Sequence, residues 1–256
     1  MFSDRTLPQE VRAVRAEHAP AALVLDSDSD FETLPPAALD ELGGRVDDLD
    51  PVACDLSWLP SDAPDLLARF AGPDFTVGMP GDGAVAWTTQ TTPPVVIVKP
   101  RIEGSPESFV DFLIAEALVE IGTSVPEQFL GFFEDQYSAF SAALDADPAT
   151  TYQVAVAVCD AYRGLHTRPV FESWEGEHDG LWAAWSDAGA RLQPRLDDLM
   201  REVARGNTGF GDATELACAG VKHGLDVPAP FGALDVEAFR DHGADYAVRW
   251  AEKIRD

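Results

Sequence analysis

The chain has 256 residues, 45 of them Asp or Glu and 18 Lys or Arg, for a net charge of −27. A surface of that sign repels nucleic-acid phosphates and anionic membranes, which excludes binding to either through a broad basic face. With 46% hydrophobic and 9% aromatic residues, the chain can bury a sizeable core and is not expected to be disordered.

Leu7 to His18 has the spacing of a helix. Leu23-Val-Leu25 is an apolar run that leads into Asp26-Ser-Asp28-Ser-Asp30. Asp62 to Phe70 predicts a second helix, with Asp62 as N-cap and Gly72-Pro73 as its stop. The period then changes. Phe75 to Met79, Ala84 to Gln90 and Val95 to Ile102 are short runs rich in β-branched and aromatic residues. Pro80-Gly-Asp-Gly83, a hairpin turn, and Thr91-Thr-Pro-Pro94 separate them, so a small antiparallel meander is expected.

The remainder reads as helical. Ser105 as N-cap and Pro106 at the first helical position open a helix to about Ile121, with Gly122 as its stop. Ser124-Val-Pro-Glu127 is a capping box and begins another helix, to about Leu144. A third covers Pro148 to about His166, followed by Leu181–Arg205, Asp212–His223, Val236–Asp241 and Ala244–Ile254. The expected fold is α+β, mainly helical, with a small antiparallel sheet of three or more strands. One domain is expected over 1–256, with a helical segment at 1–73, the meander at 74–104 and the helical part at 105–256.

The acids are 28 Asp and 17 Glu, and the bases 15 Arg and three Lys, at Lys99, Lys222 and Lys253. This balance resembles that of proteins from extreme halophiles, where molar salt screens self-repulsion to a Debye length of about 3 Å. The whole chain resembles an uncharacterised haloarchaeal family through that composition, the segment Val98–Phe112 and the ending Tyr246–Lys253. Such a resemblance implies a compartment and no activity. No apolar signal core opens the chain and no run reaches the roughly 18 apolar residues of a membrane span, so a soluble cytoplasmic protein is expected. Cys54, Cys159 and Cys218 stand far apart, and Cys159 and Cys218 sit among small apolar residues as fillers.

The run Asp26–Asp30 resembles two cation-binding patterns. The EF-hand loop shares Asp at its first, third and fifth positions, but Phe31 and Ala37 stand where it needs Gly and Glu. Haloacid-dehalogenase phosphatases open with an apolar strand and Asp-x-Asp. That resemblance implies a magnesium-dependent phosphatase using Asp26 and Asp28, with Lys99 as its distant lysine. No alternation of strand and helix surrounds Lys99, so a solvated acidic loop is the plainer reading.

Two carboxylates, Glu116 and Glu120, are embedded in the apolar helix that begins near Ser105. A buried carboxylate needs a partner or a raised pKa. Residues 75–145 resemble the zincin metallopeptidases, whose active helix follows an edge strand and reads His-Glu-x-x-His. Here the five residues are Ala115-Glu116-Ala117-Leu118-Val119. Ala and Val cannot coordinate zinc, so the resemblance implies a degenerate scaffold without a metal site or other cofactor. Glu127 and Glu134 stand where a zincin takes its third ligand.

Arg163-Gly-Leu-His166-Thr-Arg168 is the only compact basic cluster, and His166 lies near a predicted helix end, where a cation suits the dipole. It suits an anion, or it neutralises Glu116 and Glu120 across the helix packing, or it caps its helix and pairs with Glu172 and Glu175. The Trp-rich stretch Phe171–Trp185 reads as core or as an aromatic pocket. These residues support three functions. One is a non-catalytic domain that binds or scaffolds a protein or small molecule. Another is a metal-independent enzyme, with Glu116 or Glu120 as acid/base beside catalytic His166, and Arg163 and Arg168 placing an anion. The third is the phosphatase just described. Neither nucleic acid nor membrane is an expected partner.

If the charge is an adaptation to salt, the thermal midpoint rises steeply between about 0.1 M and about 3 M KCl. Equal midpoints in a calorimetric scan at the two concentrations would refute it.

Overall fold

A computed structural model describes residues 1–31, 34–52, 57, 59–61, 63, 65, 67, 75–77 and 83–255. The helix expected over Asp62–Phe70, its Gly72-Pro73 stop and the Pro80–Gly83 turn fall, apart from single residues, outside the described ones, as does Cys54. The fold is α+β. It comprises two compact units, one of Met1–Cys54, Arg69–Gln128 and Trp174–Ala184, the other of Asp55–Ala68, Phe129–Ser173 and Trp185–Asp256.

The first unit is built on β6, Val95–Val98, whose four side chains are all buried. A strand apolar at every position must be covered on both faces and flanked on both edges. β6 pairs in parallel with β2, Leu23–Ser27, and antiparallel with β4, Val85–Thr88. β1, Phe2–Asp4, closes the order β1-β2-β6-β4. β3, Asp48–Leu49, and β5, Thr91–Thr92, form a separate two-stranded ribbon. The sheet is therefore mixed. Phe75–Val77 is not a strand, so the first strand of the expected meander is replaced by β2, brought in from a distant stretch.

One face of the sheet, with Leu25, Ala86, Val95 and Ile97, packs on Phe2, Phe31, Leu42 and Val77, with Leu39 of α2, Pro36–Gly43, against this cluster. The opposite register positions meet helices. α1, Gln9–His18, packs on α3, Glu107–Thr123, and α3 lies against β4 and β6. Gly122 makes the α1 contact possible, because a Cβ there would lie 2.6 Å from the His18 carbonyl oxygen. Trp174 packs edge-on against Phe112, with ring centroids 6.4 Å apart.

The second unit is helical: α4 Phe129–Phe133, α5 Gln136–Leu144, α6 Pro148–Ser173, α7 Asp179–Ala204, α8 Phe210–Lys222 and α9 Glu237–Arg255, with the first turns of α7 counted in the other unit. The single helix expected over Ser124–Leu144 is two, broken where Glu134 takes φ 47°. The helix expected to stop at His166 runs through Pro169 to Ser173, because Phe171 is buried against Trp185. α9 breaks at Gly243, with φ 45° and ψ −121°, between the two helices read at Val236–Asp241 and Ala244–Ile254. Cys159 and Cys218 are buried and are not joined in a disulfide.

α6 and α8 make the closest helix pair. A Cβ on Gly164 would lie 2.5 Å from Lys222 Cγ and 2.7 Å from its Cα, while one on Gly131 would meet nothing within 4 Å. Gly164→Ala is expected to cost about 1–3 kcal/mol in denaturant unfolding. Gly131→Ala should stabilise by about 0.5–1 kcal/mol. A neutral Gly164→Ala would refute the close packing.

Candidate functional site

α3 carries the carboxylates singled out in the sequence. Glu116 is half-buried and Glu120 is 6% exposed. Glu120 is there because Trp87, which faces α3 from β4, donates its indole Nε1–H to Glu120 Oε2 at 2.5 Å. A charge-assisted bond of this kind satisfies a carboxylate that would otherwise lose its hydration. Ala115 and Val119, at the zincin ligand positions, are fully buried. β6 precedes α3, but it is an interior strand, whereas the zincin helix follows an edge strand. Glu134, proposed as a third-ligand position, is exposed.

The capping box at Ser124 is overturned. Ser124 has φ 56° and ends α3, and α3 itself starts at Glu107, with Pro106 as N-cap and no side-chain cap from Ser105. Glu127 turns instead to the β4–β5 turn. Its carboxylate accepts from Thr89 N at 2.8 Å and from Gln90 Nε2 at 2.6 Å. Gln90 Nε2 also reaches the Thr76 carbonyl, 2.9 Å away, and Gln128 Nε2 bonds Thr76 Oγ1 at 3.2 Å. Burial pushes the Glu127 carboxyl above its usual range despite these donors. The network is a structural latch for segments that carry no regular ladder.

The acidic run has partners as well. Asp26 pairs with Arg5 and Asp28 with the Met1 ammonium, and Asp30 takes Arg101 Nε at 2.8 Å. The Arg101 guanidinium and the amino terminus hold the Asp30 and Asp28 carboxyls below the ordinary carboxylate range. The parallel register of β2 and β6 sets Asp26 opposite Val98, so the nominated Lys99 does follow the neighbouring strand. Lys99 is fully buried, with Nζ 4.9 Å from the centroid of the Phe31 ring. The acidic run is solvent-exposed at Asp28 and Asp30, as a solvated loop would be, and is also ion-paired, beside a buried lysine. Among the described residues, no group of three or more His, Cys, Asp or Glu is arranged to hold a metal ion.

Arg163, His166 and Arg168 belong to the second unit, whereas Glu116 and Glu120 belong to the first. They lie within α6 and not at its end, so the expected dipole contact of His166 does not form. Arg163 pairs with Asp160 at 3.4 Å. Arg168 pairs with Asp235 at 3.0 Å, bonds the Val221 carbonyl at 3.1 Å, and reaches Glu172 at 3.9 Å as expected. His166 packs on Tyr162, with centroids 4.6 Å apart, and its Nε2 is buried without a hydrogen-bond partner. Burial and the Arg240 charge lower its pKa, against the pull of the Arg240 carbonyl. Of the three, Arg168 ties α6 to α8 and to the segment that carries Asp235.

The second unit holds two described cavities of different character. One, of about 850 Å³, is an open groove along α7 and α8, rimmed by Asp198, Glu202, Asp212 and Glu215 with Arg195. An acidic rim is the default in this chain. The other, of about 530 Å³, lies between the 3-10 turn Phe231–Leu234 and the last turns of α9. Its walls are Val227, Pro230, Trp250 and Ile254, and its cations are Arg249 and Lys253. Among the described residues lining it there is no carboxylate. Arg249 Nε donates to the Asp245 carbonyl at 3.1 Å, and the side chain is exposed. Sequence reasoning missed this pocket. The available signal was the spacing of Tyr246, Arg249, Trp250 and Lys253, which places two aromatics and two cations on one helix face.

The chain belongs to a family of unknown function, DUF7089, whose model matches residues 1–256. No curated protein and no solved structure matches it. Among the described residues, no helix is long and apolar enough to cross a membrane.

His223 is the most strongly perturbed histidine. It stacks on Trp185, with centroids 5.6 Å apart, its Nδ1 is buried without a hydrogen-bond partner, and burial lowers its pKa to about 4. The folded state therefore favours the neutral ring. That contribution is complete above the unfolded pKa, near 6.5, and is lost as pH falls toward 4. Between about pH 7 and about pH 4.5, wild type should lose about 2–3 kcal/mol more stability than His223→Phe. Parallel pH profiles would refute it.

Proposed function

We propose that the chain is a non-catalytic binding domain whose ligand is a small organic anion, held in the pocket at the end of α9. The carrying observation is the reversal of sign. In a chain with 45 acids and 18 bases, this cavity presents two cations and no described carboxylate, while the larger groove presents four carboxylates and one arginine. Neither Arg249 nor Lys253 forms an ion pair among the described residues, although most arginines here do. Two uncommitted cations beside an apolar wall suit an anion with an apolar body.

Binding fits this lining better than catalysis does. Ser, Cys, His and carboxylate side chains are all missing from the described lining; of the remaining candidates, Lys253 is exposed to solvent and the Tyr246 hydroxyl is committed to the Ala233 carbonyl. In this reading the strand, turn and helix around Glu116 serve as scaffold, with Glu120 held by Trp87. The acidic exterior belongs to salt adaptation, and the cytoplasmic placement expected from the sequence accords with a soluble small-molecule partner.

Isothermal titration with 3-phenylpropionate and its uncharged amide tests the reading. Wild type should bind the acid at least about tenfold more tightly than the amide, which is about 1.4 kcal/mol. The double variant Arg249→Gln, Lys253→Gln should erase that preference without moving the thermal midpoint, because both side chains are exposed. Equal affinities for acid and amide in wild type would overturn it.

A further inference from the structure

The anion pocket has polar groups, but the fold has already committed most of them. Trp250 is 3% exposed, and its Nε1–H donates to the Pro230 carbonyl at 3.1 Å. The Tyr246 hydroxyl donates to the Ala233 carbonyl at 2.8 Å. Along the wall, Gly232 N–H donates to Pro228 O, Ala233 N–H to Pro230 O and Asp235 N–H to Gly232 O. Pro230 has no N–H to give. Both aromatic side chains are therefore fixed by the loop they face; the half-buried Tyr246 offers the cavity ring surface, Trp250 backs the wall with little of its own surface exposed, and neither has much hydrogen-bonding capacity to spare.

What remains is a division of labour. At one end, Arg249 and Lys253 stand one helical turn apart, about 6 Å along the axis. The rest of the lining is Val227, Ala229, Pro230, Gly232, Ala233 and Ile254 with the two rings. A ligand whose body carries hydrogen-bonding groups, such as a nucleobase or a sugar, would lose water there without replacement partners. Sites of this kind reject polar bodies because each unmade hydrogen bond is costly.

Resting on the anion-pocket reading, we infer that the ligand is a carboxylic acid with a plain hydrocarbon body, aryl or acyl, and not a nucleotide or a sugar phosphate. The carboxylate meets Arg249 and Lys253, and the hydrocarbon lies along Trp250, Pro230 and Ile254. The cations set the orientation of the ligand, and the apolar wall supplies most of its affinity.

Three probes separate this inference from the reading beneath it: 3-phenylpropionate, octanoate and adenosine monophosphate, each titrated into the full chain at one salt concentration. The two acids are expected to bind at least about tenfold more tightly than the nucleotide, despite its greater charge. Nucleotide binding as tight as either acid overturns the hydrocarbon-acid assignment and leaves the anion pocket standing. No binding by any of the three overturns both. The variant Ala233→Leu places three extra carbons at an exposed position on the pocket wall. It should weaken acid binding at least about tenfold while leaving the thermal midpoint within about a degree. Unchanged affinity would show that the acids bind elsewhere and refute the site.

Discussion

Positive charge is scarce in this protein, and much of the tertiary structure depends on where it goes. Arg5 joins β1 to Asp26, Arg45 reaches Asp4, Arg101 reaches Asp30, and Arg168 reaches Asp235. The last two pairs bridge 71 and 67 residues of chain, the kind of long connection that turns alone cannot make. Local pairs such as Arg191–Asp187 and Arg201–Asp198 are exposed on helix surfaces and contribute little. Pairs partly shielded from water are screened less by salt, so they are the ones that survive as cross-links at high ionic strength.

The sheet of the first unit faces the complementary problem. β6 is apolar on both faces, and a charge placed beside it cannot be solvated. Two charges are nevertheless there, on opposite faces. Lys99 continues the Val95–Ile97 face beyond the strand and ends over the Phe31 ring. Glu120 comes down from α3 onto the other face and meets the Trp87 indole. An aromatic ring offers its negative face to a cation and an indole offers N–H to an anion, so both contacts keep apolar surface packed while they accommodate a charge. Loss of either ring would leave a buried charge with diminished support, a larger penalty than the loss of an exposed ion pair.

The helices were legible because apolar spacing and Gly or Pro punctuation are local signals. Gly243 separated the two halves of α9 in the sequence as it does in the structure. The failures were non-local. β1 has three residues and β2 five, too short for periodicity to declare; β2 is placed by pairing with β6 some seventy residues away, and β1 by pairing with β2. Ser124–Glu127 matched a capping pattern, yet Glu127 had better donors in Thr89 and Gln90 than in a helix start. The helix read as ending near His166 continues through Pro169 to Ser173, with Phe171 buried. In a chain so rich in carboxylates, an acid by itself carries little information. The residues that carry the proposed pocket are cations with no described acid partner, and Arg249 and Lys253 lay within a segment already noticed on other grounds.

Salt then decides what such a pocket can use. At molar ionic strength the Debye length is about 3 Å, so Arg249 and Lys253 cannot attract an anion from a distance and act on it only in contact. Apolar association moves the other way, because strongly hydrated salts favour burial of apolar surface. A pocket walled by Trp250, Pro230 and Ile254 therefore keeps or gains affinity under conditions that weaken a purely ionic site. The two cations would still discriminate, since a neutral ligand leaves them unmatched and a polar anion leaves the wall unused. If a chain of net charge −27 works in molar salt, the same screening favours an amphiphilic ligand over a merely charged one.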